Sequence, residues 1–380
     1  MLTAKSREKP KGKDSLRVVV FCGDRSRYGS SHVPALLATQ ARVEALVVPS
    51  AGRWAKFHAK ATGQSTPTPS IGLRSRVAER FPVLHRLWRT LRQSRQARRG
   101  EAPGNVDVRR LAAEAAVPVF EVEDVNDEHV VVTIEGCAPD VCVSFAYPQI
   151  FRERLIRCPS NGFVNFHPSL LPRCRGRNPV FWAIASGEVV TGVTVHHIEP
   201  AIDAGGIVLQ AREPIRPDDT YATLYARLTR ISVGLVTELV ALAKQGPLPS
   251  RPQMGEPSYF SESPEDRDID WARTANDIRN LVRACSPSPG ARAWLSRREI
   301  RILEAIPCDG PDHPTAAPGS VLAVKGDVLC VATGRGRLQI VKAIIDGASP
   351  APARRLLSRF GPPGSLRFEG REVADARRGR

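Results

Sequence analysis

The sequence is poor in the features that mark several large protein classes. No apolar run approaches the roughly 18 residues of a membrane-spanning helix, and the basic residues 1–14 lack the apolar core of a secretory signal. The eight cysteines, at 22, 137, 142, 158, 174, 285, 308 and 330, include no C-x-x-C pair. Such scatter argues against structural zinc and for reduced thiols in a cytoplasm. No G-x-G-x-x-G follows the first strand-like run, where the turn reads Cys22-Gly23-Asp24-Arg25, so a bound dinucleotide is disfavoured. A nucleophile is missing too: Ser169 has no G-x-S-x-G elbow, and Cys174 stands in a basic loop without a clear base.

Negative charge is also scarce, with 39 Asp and Glu against 55 Lys and Arg for a net charge of +16. Residues 51–100 concentrate the imbalance: twelve Lys or Arg and one acid, Glu79, place +11 of the total there. Within them, 81–99 has helical spacing, with Val83, Leu84, Leu87, Trp88 and Leu91 forming an apolar stripe among arginines. The segment is either an electrostatic footprint for an anion such as RNA or a solvated basic helix covering a hydrophobic edge.

What is present is the pattern of a two-domain chain with ample core. Residues 16–23 form a β-branched run closed by glycine, 33–42 has helical spacing, and 43–48 reads as a second strand, the β-α-β opening of a doubly wound sheet. A helix at 108–116 and strands at 117–122 and 140–146 resume the pattern after the basic insertion. A long helix over 224–244 starts behind Asp218, Asp219 and Thr220, and the Pro- and Ser-rich 247–264 reads as a surface linker. Beyond it comes a helix led by Asp270-Trp271. Short strands at 293–295, 300–305, 320–324, 328–332 and 338–344 then suggest a small barrel.

The stretch 161–210 carries the chemistry. It opens as the end of a buried strand, with Asn165, His167 and Ser169 at alternate positions, so a persisting strand directs them to one side. A short helix at 179–186, a strand at 191–198 and a tight turn at Asp203 follow. Polar groups at the carboxyl end of an α/β strand suggest a site there. Asn, His and Asp suit attack of an amine on a carbonyl carbon: an Asn amide and an imidazolium can donate to the oxyanion, and a carboxylate or imidazole can take the amine's proton. The alternative is that Asn165 and Asp203 are turn residues and His167 a satisfied core histidine.

Asn165-x-His167-x-Ser169-Leu170-Leu171-Pro172, then Arg175-Gly176, then Asp203 with Gly205, resembles the signature of the folate-dependent formyltransferases. That family acts on methionyl-tRNA, glycinamide ribonucleotide and amino sugars. The resemblance covers about 120–345 and implies an α/β Rossmann-like formyltransferase domain followed by a small OB-like β-barrel domain. The expected division is a basic disordered tail (1–14), catalytic domain (15–246), linker (247–264), OB-like domain (265–349) and basic tail (350–380).

The resemblance further implies N10-formyltetrahydrofolate as co-substrate, no metal, and Asn165, His167 and Asp203 as the catalytic set. Asn165 and His167 would face the formyl oxygen, while Asp203 would keep His167 protonated or take the amine's proton through water. Folate would lie against Phe145, Ala146, Tyr147, Pro148 and Ile150, against Ser169, Leu170, Leu171 and Pro172, and against Ile202 and Gly205. The expected acceptor is methionyl-tRNA, with an amino sugar or another small amine as the alternative and a formyltetrahydrofolate hydrolase as a rival. A cytoplasmic monomer that binds no membrane completes the expectation.

Overall fold

The computed structural model describes residues 15–23, 26–62, 107–308, 316–345 and 347–370. The basic helix expected over 81–99 and the tail 1–14 lie outside them. The first half alternates strands and helices: β1 (Arg17–Cys22), α1 (Arg27–Leu37), β2 (Arg42–Pro49), α2 (Ala51–Thr62), α3 (Val108–Glu114), β3 (Val119–Val122), α4 (Glu128–Gly136) and β4 (Val141–Phe145). It continues with α5 (Glu153–Ile156), β5 (Gly162–His167), β6 (Arg175–Gly176), α6 (Pro179–Ala185), β7 (Val190–His197), β8 (Ile207–Pro214) and α7 (Tyr221–Ala243).

Seven of these strands form one sheet in the order β3-β2-β1-β4-β5-β7-β8, parallel from β3 to β5 and antiparallel at β7 and β8. The unbroken apolar run of β1 has a direct cause. Val18, Val20 and Cys22 enter the core shared with α1 and α7, while Val19 and Phe21 enter a second core under α4 and α5. A sheet covered on both faces needs both sets to be apolar. The order reverses between β1 and β4, which opens a crevice at the carboxyl ends. There Gly23 touches the next connection, since a Cβ would stand 2.2 Å from the Ala146 carbonyl oxygen.

α1 begins earlier than its spacing suggests, because the Ser26 side chain accepts from the Gly29 N–H and caps it. It packs on α7 through a buried polar knot. His32 bonds the Tyr28 carbonyl through Nδ1 and Ser232 Oγ through Nε2, both at 2.6 Å, and its ring stacks on Phe145 at 4.4 Å.

The second half contains β9 (Tyr259–Phe260), α8 (Ala275–Ala284), β10 (Ala291–Leu295), β11 (Arg298–Cys308), β12 (Val321–Lys325), β13 (Val328–Ala332), β14 (Arg337–Ile345), β15 (Ala351–Pro352), α9 (Arg355–Phe360) and β16 (Phe368–Glu369). β10 to β14 make a curved antiparallel half-barrel with β15 and β16 added. The segment expected as a basic tail from 350 is built into this domain as far as β16. Phe368, 1% exposed, pairs in β16 with β10 and donates its N–H to Gly319 beside β12, so the tail touches both ends of the sheet. Leu356, Leu366 and Phe368 supply the apolar anchors that its basic composition hides.

The two domains share one continuous apolar core, in which Val180 and Ile184 of α6 join Ile278 and Val282 of α8. Arg283 fastens the seam by donating to the Arg216 and Asp219 carbonyls at 3.2 and 3.1 Å. Among the described residues no helix is long and apolar enough to cross a membrane.

Burial pushes the His32 imidazole down to about 4, from an ordinary value near 6.5 when unfolded. Its folded pKa is depressed, so its contribution is full above about pH 6.5 and lost as pH falls toward about 4. That contribution amounts to about 3 kcal/mol. Denaturant unfolding followed across this window should show the loss, and His32→Gln should flatten it. An unaltered slope in the variant would assign the acid sensitivity to other groups.

Candidate active site

Buried Phe163, Val164 and Phe166 hold β5 in the sheet, and the pleat sends Asn165 and His167 to one side. The antiparallel register sets Asn165 opposite His196 of β7. The turn after β7 then returns Asp203 to these side chains, with φ at 51°, a left-handed conformation that side chains resist. Its Oδ2 accepts from the Gly176 N–H at 2.8 Å and lies 3.6 Å from His167 Nδ1. Its Oδ1 lies 3.5 Å from His196 Nε2, and Asn165 Nδ2 extends the chain of contacts, 3.3 Å from that same nitrogen. The cluster thus has four members.

Backbone carbonyls orient both rings: His167 Nε2–H donates to Cys174 and His196 Nδ1–H to His197, each at 2.8 Å. The loop that supplies Cys174 ends in β6, which pairs with β9 in parallel. Gly176 has φ at 90°, and a Cβ there would stand 2.2 Å from the Phe260 carbonyl oxygen. Only glycine permits the approach that aims this N–H at Asp203.

Burial lowers the His167 pKa below its ordinary value. The Asp203 carboxylate and the Cys174 carbonyl offset this only in part, and His196 adds to the lowering. For Asp203, burial favours the neutral acid, but His167, His196 and the Gly176 N–H together hold the carboxyl well below the usual carboxylate range. At neutral pH the cluster therefore contains a carboxylate beside a neutral His167. The expectation that Asp203 keeps His167 protonated does not match this balance, because desolvation outweighs the attraction.

Two chambers meet at the cluster. One, of about 770 Å³, is walled by Tyr147, Pro148, Ile150, Phe151, Ile198 and Ile202. The other, of about 1290 Å³, is walled by Tyr28, Trp54, Tyr221 and Tyr225, with Arg27, Arg216 and Arg230 among its lining. Asn165, Gly176, Arg177 and Asp203 line both. Residues 16–239 match the formyl transferase family model, and 262–361 match that of the formyl transferase C-terminal domain.

The chain belongs to the formyl transferase family.

Methionyl-tRNA formyltransferase of Pelotomaculum thermopropionicum is 32% identical over 251 residues, which cover 66% of this chain and 80% of that protein. Among solved structures, an N-formyltransferase from Helicobacter canadensis, in complex with folinic acid and dTDP-3-aminofucose, superposes with a TM-score of 0.54. The identity is 15%, over 86% of this chain and 98% of that one. HypX from Aquifex aeolicus gives a TM-score of 0.51 at 18% identity over 91% of this chain. The chain spans about half of HypX, 49% of its length. At these identities the structural likenesses concern the fold.

The protein is thus a formyltransferase using N10-formyltetrahydrofolate as donor. The smaller chamber has a partly apolar wall. Ile150 and Ile202, 65% and 42% exposed, offer apolar surface, and the neighbouring main chain is fixed by Gln149, which bonds Val125 N–H and the Glu123 carbonyl at 2.9 and 3.0 Å.

Of the residues expected to hold folate, Tyr147, Pro148, Ile150 and Ile202 line this chamber, and Ala146 lines the larger one. Phe145 lies buried against His32, and Gly205 sets its backbone against the His197 carbonyl. Ser169, Leu170, Leu171 and Pro172 line a separate recess of about 380 Å³. They turn away because Thr194 Oγ1 donates to the Ser169 carbonyl and accepts from the Leu171 N–H, at 2.7 and 3.2 Å. His196 was not marked by the sequence reading. Its signal is its place in the strand after the motif, which becomes informative only with the β5–β7 register.

Replacing His196 by Ala removes the partner of the Asn165 amide, a hydrogen bond of about 1–1.5 kcal/mol, and should lower turnover about tenfold with the fold intact. Parent-like turnover in formyl-transfer assays would reduce this ring to packing.

Proposed function

We propose that the chain transfers the formyl group of N10-formyltetrahydrofolate to the α-amino group of methionyl-tRNA, with Asn165, His167 and Asp203 as its catalytic residues. The observation that carries this reading is the junction of the two chambers at Asn165 and Asp203, with His167 lining the larger one. A donor on the Tyr147 and Ile202 side and an amine on the Tyr28 and Tyr225 side would meet there. The bound donor supplies the formyl carbon as an electrophile.

His167 Nε2–H is committed to the Cys174 carbonyl, so Nδ1 of the neutral ring carries a lone pair. Nδ1 takes the proton of the attacking amine, and the imidazolium so formed stands 3.6 Å from the Asp203 carboxylate, which stabilises it. Asn165 Nδ2 directs one hydrogen toward His196, leaving its second to donate to the developing oxyanion. His167 then returns its proton to the departing nitrogen.

Exposed Arg27, Arg216 and Arg230 support a phosphate-bearing acceptor, because they give the larger chamber a positive rim. The 32% identical methionyl-tRNA formyltransferase favours charged tRNA among such acceptors. A second reading, an amino sugar or other small phosphorylated amine, draws on the tyrosine walls of Tyr28, Tyr221 and Tyr225, which suit a compact ligand. Labelled formyl donor offered with charged initiator tRNA, nucleotide-linked amino sugars and simple amines separates these readings. Label in the tRNA supports the proposal, label in a small amine alone replaces it, and formate released without any amine marks a hydrolase.

Asp203→Asn preserves shape but removes the charge that stabilises the imidazolium, so turnover should fall on the order of a hundredfold or more with donor affinity largely kept. Near-parent turnover would remove Asp203 from the mechanism. The depressed pKa of His167 also sets a sign. The neutral ring is the active form, so the rate expressed per unprotonated acceptor amine should stay level as pH falls to about 6.5 and decline only below it. A decline centred above that value would exclude His167 as the base.

A further inference from the structure

The segment joining the domains, residues 247–264, runs along the active site. Leu248 N–H donates to the Asn161 carbonyl at 2.8 Å, and Arg251 exchanges two backbone bonds with Ile207 at 2.7 and 3.0 Å. Ser258 Oγ accepts from the Cys174 N–H at 2.8 Å, and Tyr259–Phe260 pair with Arg175–Gly176. Between these ties stands Gln253. Its Nε2 donates to the carbonyls of Asp203 and Gly205, both at 2.8 Å. Its Oε1 accepts from Arg175 Nη2 and Nε at 2.7 and 3.2 Å. One amide group therefore joins the turn that presents Asp203 to the strand whose Gly176 N–H receives its carboxylate. Gln253 lines neither chamber at the cluster, so it does not stand where donor or acceptor would bind.

We propose that Gln253 is a positioning residue of formyl transfer, and that through it the interdomain segment holds the Asp203 carboxylate against His167 and His196. The inference rests on the roles assigned above to Asp203 and His167. The turn it grips needs such support. Glu199, Pro200, Ala201 and Ile202 are exposed, so side-chain packing does little to fix them. Asp203 occupies a left-handed conformation that persists only where its surroundings over-determine it. The bonds to Gln253 bracket that residue, at its own carbonyl and at the carbonyl two positions on. Arg175, on the other side of the amide, begins the two-residue strand that ends in Gly176. Loss of the amide would free the carboxylate's two supports to move independently.

The test uses the full chain with Gln253→Ala and Gln253→Glu. The Glu variant keeps the length of the side chain and can still accept from Arg175, but it cannot donate to the two carbonyls. Both variants should lower kcat by about ten- to a hundredfold, the scale of small misplacements in a reacting site, with the KM for donor little changed. In an Asp203→Asn background the same substitutions should have little further effect, because they act through that carboxylate. Hydrogen exchange at the Gly176 amide should quicken in both variants, a readout that needs no substrate. Unchanged kcat, losses that multiply fully with Asp203→Asn, or unaltered Gly176 exchange would each overturn the proposal. Should the Ala variant fail to fold, the Glu variant carries the same readouts. A parent chain that transfers no formyl group would defeat the catalytic roles above, while Gly176 exchange would still decide the clamp.

Discussion

The active site depends on one buried anion. The Asp203 side chain is 14% exposed, and a carboxylate so far from water must be matched by donors and positive charge or become protonated. The Gly176 N–H supplies the donor, and the imidazoles of His167 and His196 stand 3.6 and 3.5 Å from the carboxylate's two oxygens, where a proton gained by either ring would face the charge. Each of these requirements reaches further into the fold. Gly176 must be a glycine because β9 crosses it closely, and β9 belongs to the segment leading to the second domain. The left-handed turn must be gripped from outside, which Gln253 does from that same segment.

Balance between burial and charge also decides what the histidines can do. Desolvation alone would leave both His167 and Asp203 neutral, whereas close pairing alone would leave both charged. The resulting compromise is a carboxylate next to an imidazole held below its ordinary pKa. In the proposed mechanism such a pair gains a proton during reaction, and the charge so formed already has its counterion in place. A pair already protonated would instead offer only donors.

The second domain is more than an appendage to this site. Its apolar core is continuous with that of the catalytic domain, and Glu262 and Pro287 line the larger chamber together with α7. Glu262 also pairs with Arg177 and Arg267 and accepts from Asn178, so the start of α6 is fixed from the end of the linker. Changes in the C-terminal domain can therefore reach the larger chamber through packing.

Local pattern made the α/β alternation, the capped start of α7 at Thr220, the short strands of the second domain, and three members of the polar cluster, Asn165, His167 and Asp203, legible in advance. Those features rest on periodicity, capping and motif spacing, which are carried by residues near one another in sequence. Three features were not legible. His196 enters the cluster through a strand register, the 169–172 turn lines a separate recess because Thr194 bonds Ser169 and Leu171 and Gln210 Nε2 donates to the Leu171 carbonyl, and the tail to β16 closes on the half-barrel. Each depends on a contact between distant segments, for which no single stretch carries the signal. The sequence by itself determined the family, the donor chemistry and the main α/β alternation, because these follow from local patterns and an extended motif. Tertiary structure alone decided the protonation of the cluster and the course of the linker, because burial and long-range hydrogen bonds exist only once the chain has closed on itself.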